Sequence, residues 1–332
     1  MSQINVDVQY VQDGQTYYTS FPLEVASSLI MKDITDKTGI TWPYAYMASG
    51  NSRDVYNDKY VYDTSTAPWT QISPEYSTTK EWLGGDNDLG VVICYNDGYF
   101  ELVNLETGEM ISRQYVSLMY SFAADPPQWF RYDNKLMLLN ESQLGYAAEE
   151  GAGMWTWRIG GSFTAVMYLD VNRAVYLQDI SSKHYINEYS LTWEPNLVLA
   201  SLLYEYSLTD ELGITVNGFI VSNFPLKKGL FVGSDGNAYE IDFSGKPYDT
   251  IQIGEAPLYR FVPDYSGVSP DGRYALVGSA QNSVKYIYDF MKHEFKGQFP
   301  FTTHPFHGEG SRPLMTSKYW IASGHVVEVL EA

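Results

Sequence analysis

The feature that most constrains this chain is a recurring unit. A short apolar strand runs into a polar turn, a second strand returns, and a further turn opens on Asp or Asn. Residues 91–95 lead into Asn96-Asp97-Gly98, residues 99–103 return, and Asn104 opens the next turn. Residues 230–233 lead into Ser234-Asp235-Gly236-Asn237, residues 238–241 return, and Asp242 stops them. Weaker copies run over 165–177 with a stop at Asp179, over 274–288 with a stop at Asp289, over 47–62 with a stop at Asp63, and over 319–330 across Ser323-Gly324. Asn-Asp-Gly and Ser-Asp-Gly supply residues that tolerate positive φ, as tight hairpins require. The flanks are rich in Val, Ile, Tyr and Phe, which suit a pleated surface. The stops Asp63, Asn104, Asp179, Asp242 and Asp289 can accept hydrogen bonds from their own backbone and close a second turn. Helical periodicity is confined to two stretches, 24–38 and 197–206.

Spacing turns these units into an architecture. Asp63 and Asn104 are 41 residues apart, and Asp242 and Asp289 are 47 apart. The 75 residues from Asn104 to Asp179 fit two shorter units, one centred on 136–157, and the 63 from Asp179 to Asp242 fit one long unit or two short ones. Multi-stranded repeats of about 40–50 residues specify an all-β propeller of four-stranded blades. A unit of roughly 47 residues gives about seven blades in 332 residues, with six or eight as the miscounts the ambiguous stretch allows. No Pro-rich, Gly/Ser-rich or like-charged stretch divides the chain, so residues 1–332 are expected to form a single domain.

The residues of one unit carry a family resemblance. Val268-Ser269-Pro270-Asp271-Gly272-Arg273-Tyr274-Ala275-Leu276-Val277-Gly278 resembles the blade opening of WD40-, TolB- and YVTN-type propellers, and Val284-Lys285-Tyr286-Ile287-Tyr288-Asp289 is similar to their next strand. The match covers 268–289; the other units are degenerate and contain no Trp-Asp dipeptide. The resemblance implies a propeller and, for most such superfamilies, an interaction platform, with a minority of enzymes. The last unit stops short of a full blade, while residues 4–11 and 16–21 flank a Gln12-Asp13-Gly14 turn. Pairing of residues 1–25 with 319–330 is the expected closure, because it removes an open sheet edge.

Chemistry-bearing constellations are sparse. His304-Pro305-Phe306-His307-Gly308-Glu309 offers two imidazoles and a carboxylate of the kind that ligates zinc, yet Pro305 and Gly308 favour a loop in which His304, His307 and Glu309 need not converge. His184, His293 and His325 are isolated and read as surface or turn residues. No Gly-x-Ser-x-Gly elbow or phosphate loop occurs, since Gly160-Gly161-Ser162 lacks a following Lys and helix. Cys94 sits in an apolar run and reads as a buried thiol. Asp86-Asn87-Asp88 lacks the glycine and distal Glu of a calcium loop. No catalytic, cofactor-binding or metal-ligating set is therefore assigned, and no cofactor is expected. The 29 Tyr, 15 Phe and 8 Trp are expected mainly between blades, with Trp69 beside Pro68 and Trp129 after Pro126-Pro127 exposed on loops.

Charge narrows the partners. Forty acidic against 21 basic side chains leave a net charge of −19, which opposes a broad phosphate-binding surface and so a nucleic-acid partner. No apolar run of about 18 residues marks a membrane span, and the opening residues lack the basic and apolar regions of a signal peptide, so a cytoplasmic or virion location is expected. The reading is a non-catalytic structural or interaction protein with protein partners, as in a bacteriophage virion or tail. The alternatives are glycan binding through exposed Trp and Tyr, and a metal-dependent, lactonase-like hydrolase.

Overall fold

The computed structural model describes residues 2–12, 15–25, 29–39, 45–48, 54–57, 61–64, 68–72, 81–86, 91–96, 99–104, 106–115, 128–132, 135–140, 143–148, 154–158, 163–180, 182–194, 197–262, 265–279, 282–301 and 313–331. β1 (Ser2–Gln12) and β2 (Gln15–Val25) pair with each other, and β3 (Leu29–Asp33) follows. Sheet I contains β4 (Ala45–Ala48), β5 (Asp54–Asn57), β6 (Val61–Asp63) and β7 (Thr70–Gln71). Sheet II contains β8 (Glu81–Asp86), β9 (Val91–Asn96), β10 (Tyr99–Asn104) and β11 (Met110–Tyr115). Sheet III contains β12 (Gln128–Tyr132), β13 (Lys135–Asn140), β14 (Gln143–Ala148) and β15 (Met154–Arg158). Sheet IV contains β16 (Phe163–Asp170), β17 (Arg173–Ile180), β18 (Lys183–Glu194) and β19 (Leu197–Ser207). Sheet V contains β20 (Val221–Asn223), β21 (Lys228–Val232), β22 (Asn237–Asp242) and β23 (Asp249–Glu255). Sheet VI contains β24 (Gly267–Val268), β25 (Tyr274–Ser279), β26 (Asn282–Asp289) and β27 (Glu294–Gln298). Sheet VII joins β28 (Leu314–Met315), β29 (Tyr319–Ala322) and β30 (His325–Glu331) to β3.

Every ladder is antiparallel, and within sheets I–VI the strands lie in sequence order, as in a chain of hairpins. Local chemistry accounts for the turns. Asn104 Oδ1 accepts from the backbone N–H of Glu106 and Thr107 at 2.9 Å, Asp242 Oδ1 from Ser244 at 2.8 Å, and Asp289 Oδ1 from Met291 at 3.0 Å. Ser323 and Gly324, at φ 54° and 79°, make the two-residue connection between β29 and β30. Asp179 behaves differently: it lies within β17, opposite His184, and the residue that holds the stop position in sheet IV is Ser190, opposite Arg173. That slip of one strand explains the uneven spacings of 75 and 63 residues, and residues 163–207 and 221–255 are one sheet each.

Three expectations are corrected. The described residues of 24–38 hold no α-helix: β2 runs to Val25, β3 pairs with β30 from Leu29↔Glu331 to Asp33↔Val327, and Thr35–Lys37 forms a 3₁₀ turn. Tertiary pairing overrides the local period here. Residues 197–206 lie in β19, and the only α-helix among the described residues is α1 (Leu208–Leu212), capped by Ser207 and ended by Gly213 at φ 68°. The strand that completes sheet VII comes from 29–33 rather than from 4–21, which pair with each other in a separate two-stranded sheet. No helix among the described residues is long and apolar enough to cross a membrane.

The core lies between sheets. Phe231, Ile241, Phe243 and Tyr248 of sheet V pack against Tyr168, Tyr176 and Ile186 of sheet IV. Tyr274, Leu276 and Ile287 of sheet VI pack against Met315, Trp320 and Val327 of sheet VII. The first strands follow one another, β4 beside β8, β8 beside β12, β16 beside β20, β20 beside β24, β24 beside β28 and β28 beside β4, with β13 bridging to β16.

Candidate functional site

His304, His307 and Glu309 lie outside the described residues, as do the side chains of Cys94 and Trp129. Trp69 is corrected: it is 6 % exposed, its ring centroid is 5.4 Å from that of Tyr319, and it fills the seam between sheets I and VII. Pro68 does mark a connection, but the ring after it turns inward to bury its large apolar surface. Among the described residues, no group of three or more His, Cys, Asp or Glu could hold a metal ion.

The described histidines each meet a fixed partner. His184 Nδ1 accepts from Val216 N–H at 2.8 Å, and His325 Nδ1 lies 2.7 Å from Asp33 Oδ2, joining β30 to β3. Burial alone would raise the Asp33 carboxyl, but hydrogen bonds from Thr35 and the contact with His325 hold it below the usual carboxylate range. His293, held at φ 53° in the β26–β27 turn, places Nδ1 3.1 Å from Glu240 Oε2.

Sequence reasoning missed the densest polar chemistry, two buried carboxylates on third strands. Glu188 of β18 is fully buried; Tyr248 Oη donates to it at 2.7 Å, Lys246 Nζ lies at 3.1 Å and Arg173 Nη1 at 3.4 Å. Glu240 of β22 repeats the pattern one sheet on, accepting from Lys228 Nζ at 2.6 Å and Tyr288 Oη at 2.8 Å, with His293 beside it. In each case the cation on the glutamate's own sheet opens the second strand, and the tyrosine comes from the next sheet. Burial, and then the neighbouring carboxylate, push the Tyr248 and Tyr288 hydroxyls far above the ordinary phenol value. The available signal was an acidic residue inside an otherwise apolar third strand, two places before the stop position, with Arg or Lys opening the strand before it. These clusters hold sheets together.

The surface shows a different kind of feature. β18 and β19 run past β17, whose ladder with β18 ends at Arg173↔Ser190, whereas β18 and β19 stay paired out to Glu194↔Leu197. On β19, Leu199, Leu202 and Leu203 are 47 %, 53 % and 51 % exposed. β15 of sheet III lies beside β19 without forming a ladder with it, so among the described residues the outer edge of β19 has no strand partner. An edge strand with apolar side chains and unpaired backbone groups is a ready template for another chain.

No protein-family model matches the sequence, and no curated protein matches it. Solved structures do. The Cps50 (Swd1) β-propeller domain of Myceliophteria thermophila is similar over 91 % of this chain and 100 % of its own, at 9 % identity and a TM-score of 0.55. Hsv2 of Kluyveromyces lactis is similar over 87 % of this chain and 98 % of its own, at 9 % identity and a TM-score of 0.52. With its four-stranded antiparallel sheets, this chain has a β-propeller fold.

Proposed function

We propose that residues 1–332 form a single seven-bladed toroid, closed by β3 on β30, that works as a non-catalytic interaction module in a larger assembly. Seven four-stranded sheets and the succession of first strands from β4 round to β28 support the toroid. The observation that carries the function is the free edge of β19 with its three exposed leucines. A bacteriophage virion or tail is the assembly proposed, on the ground of degenerate repeats and high tyrosine content; structural genes beside its own would support that home, and a hydrolase operon would count against it.

The test is paired. Metal analysis of the purified chain and a hydrolase substrate panel are expected to be negative. A stoichiometric metal that is lost together with hydrolysis in His304→Ala and His307→Ala would overturn the reading in favour of the hydrolase.

A further inference from the structure

We infer that the outer edge of β19 is extended by β1 of a second copy of this chain, so that copies associate head to tail by strand addition. This names the occupant of the proposed interaction edge and rests on that reading.

The seven sheet-ending strands make the comparison. β7 is two residues long; β11 carries Arg113 and β15 Arg158; β3 carries Lys32. β23 and β27 contain Gly254 and Gly297 at φ 133° and 121°, each beside a register shift, and β27 adds Lys296. Short length, cations and bulges are the devices that keep sheet edges from pairing. β19 has eleven residues with no Pro, Gly, Lys or Arg; its single bulge is at Leu203, between Leu202 and Tyr204, and the run from Leu197 to Leu202 is regular. Of the seven, it is the longest and has neither a cation nor a glycine bulge, and its one irregularity leaves six consecutive residues regular.

A matching edge lies elsewhere in the same chain. β1 and β2 pair along all of β1, and among the described residues neither belongs to a larger sheet. A lone two-stranded hairpin is marginally stable in water and gains from a third strand. β2 contains Pro22, which cannot donate to a ladder. β1 also has eleven residues, with no Pro, Gly, Lys or Arg, and places Ile4, Val6, Val8 and Tyr10 at alternate positions. The regular run from Leu197 to Leu202 offers β1 an unbroken ladder of about 20 Å. Each strand carries a single carboxylate, Asp7 on β1 and Glu205 on β19. Because donor and acceptor are different surfaces, the contact is heterologous and propagates into a ring or an open chain. At −19 per chain the copies repel at long range, so salt should favour this association, whereas it should weaken binding of a basic partner.

Sedimentation velocity of the full chain, over a range of concentrations and from about 0.05 to about 0.5 M salt, tests the inference. Species above monomer are expected to grow with concentration and with salt. Leu203→Lys, which places a cation on the exposed edge, and a chain lacking residues 2–25 should each be monomeric, with urea midpoints showing both folded. Mixed together, they should form a 1:1 dimer and stop, since one retains only the donor and the other only the acceptor. A full chain that stays monomeric throughout, or assembly that survives loss of residues 2–25, overturns the inference. If the full chain is monomeric but Leu203→Lys abolishes salt-sensitive binding of a purified basic protein, the inference fails while the interaction reading stands. If β19 changes affect neither, both fail.

Discussion

Tyr288 Oη donates a 2.8 Å hydrogen bond to Glu240 Oε2 across the boundary between sheets V and VI, and both side chains are buried. Tyr248 Oη does the same for Glu188 across the boundary between sheets IV and V. Removing one hydroxyl leaves a buried carboxylate with a donor missing. Tyr288→Phe and Tyr248→Phe are each expected to cost about 1.5–3 kcal/mol by urea denaturation, the range for bonds to charged groups. The two contacts share no partner, so the double variant should show the sum within about 0.5 kcal/mol. Losses below a few tenths would mean that the tyrosines only fill space.

Lys285 gives a pH signature. It is 5 % exposed, with the Tyr265 ring 5.9 Å from Nζ and no ion-pairing carboxylate among the described residues. Burial pushes its ammonium down from 10.5 to about 8. Between those values the unfolded chain binds more protons than the folded one, so stability rises with pH across the window; the penalty is full below about 8 and gone above about 10.5. Lys285→Met should raise stability near neutrality, by up to about 3 kcal/mol, and flatten that rise. Parallel pH profiles for the two chains, from unfolding midpoints at about pH 7.5 and about pH 9.5, would dispose of the claim.

Gly272 ends the Ser-Pro-Asp-Gly turn at φ 76°, and a Cβ there would lie 2.6 Å from Asn223 Oδ1 and 2.9 Å from Leu226 Cγ. Asn223 Nδ2 donates to Gly272 O at 2.6 Å, so the turn is tied to sheet V. Gly272→Ala combines left-handed strain with a clash and is expected to cost more than about 1 kcal/mol. Wild-type thermal stability in this variant would show that the turn relaxes freely.

The two N-terminal elements should separate by truncation. Removing residues 2–25 leaves the β3–β30 ladder intact, and the chain should still unfold cooperatively. Removing residues 2–33 bares the edge of β30, where Val327 and Val329 pair with Asp33 and Met31, and light scattering should report aggregation. Equal behaviour of the two truncations would contradict the role given to β3.

What the sequence disclosed was local. Asn104, Asp242 and Asp289 act through neighbours two or three residues away, and each is legible from its own turn. Leu29 and Met31 pack against the core while Ile30 and Lys32 face out, a period of two that five residues cannot distinguish from the helical spacing of Leu29, Ile30 and Ile34. The deciding partner is β30, nearly the whole chain away. Glu188 and Glu240 were hidden for the same reason: an acid in a strand reads as solvated until Tyr248 and Tyr288 are brought over it from the next sheet. Trp69 was misjudged because Pro68 reports a bend in the backbone and nothing about which way the following ring turns.

The pairing of β3 with β30 has a consequence during synthesis. Asp33 and His325, joined across that ladder, are separated by 292 positions. At about 5–20 residues per second, a ribosome would take roughly 15–60 s to supply the partner after β3 has emerged. Through that interval sheet VII cannot exist, and Leu29–Asp33 waits as an unpaired apolar segment beside sheets that are already forming. The nascent chain is therefore most exposed to wrong partners before residues 314–331 appear, and chaperone dependence should fall once they have emerged.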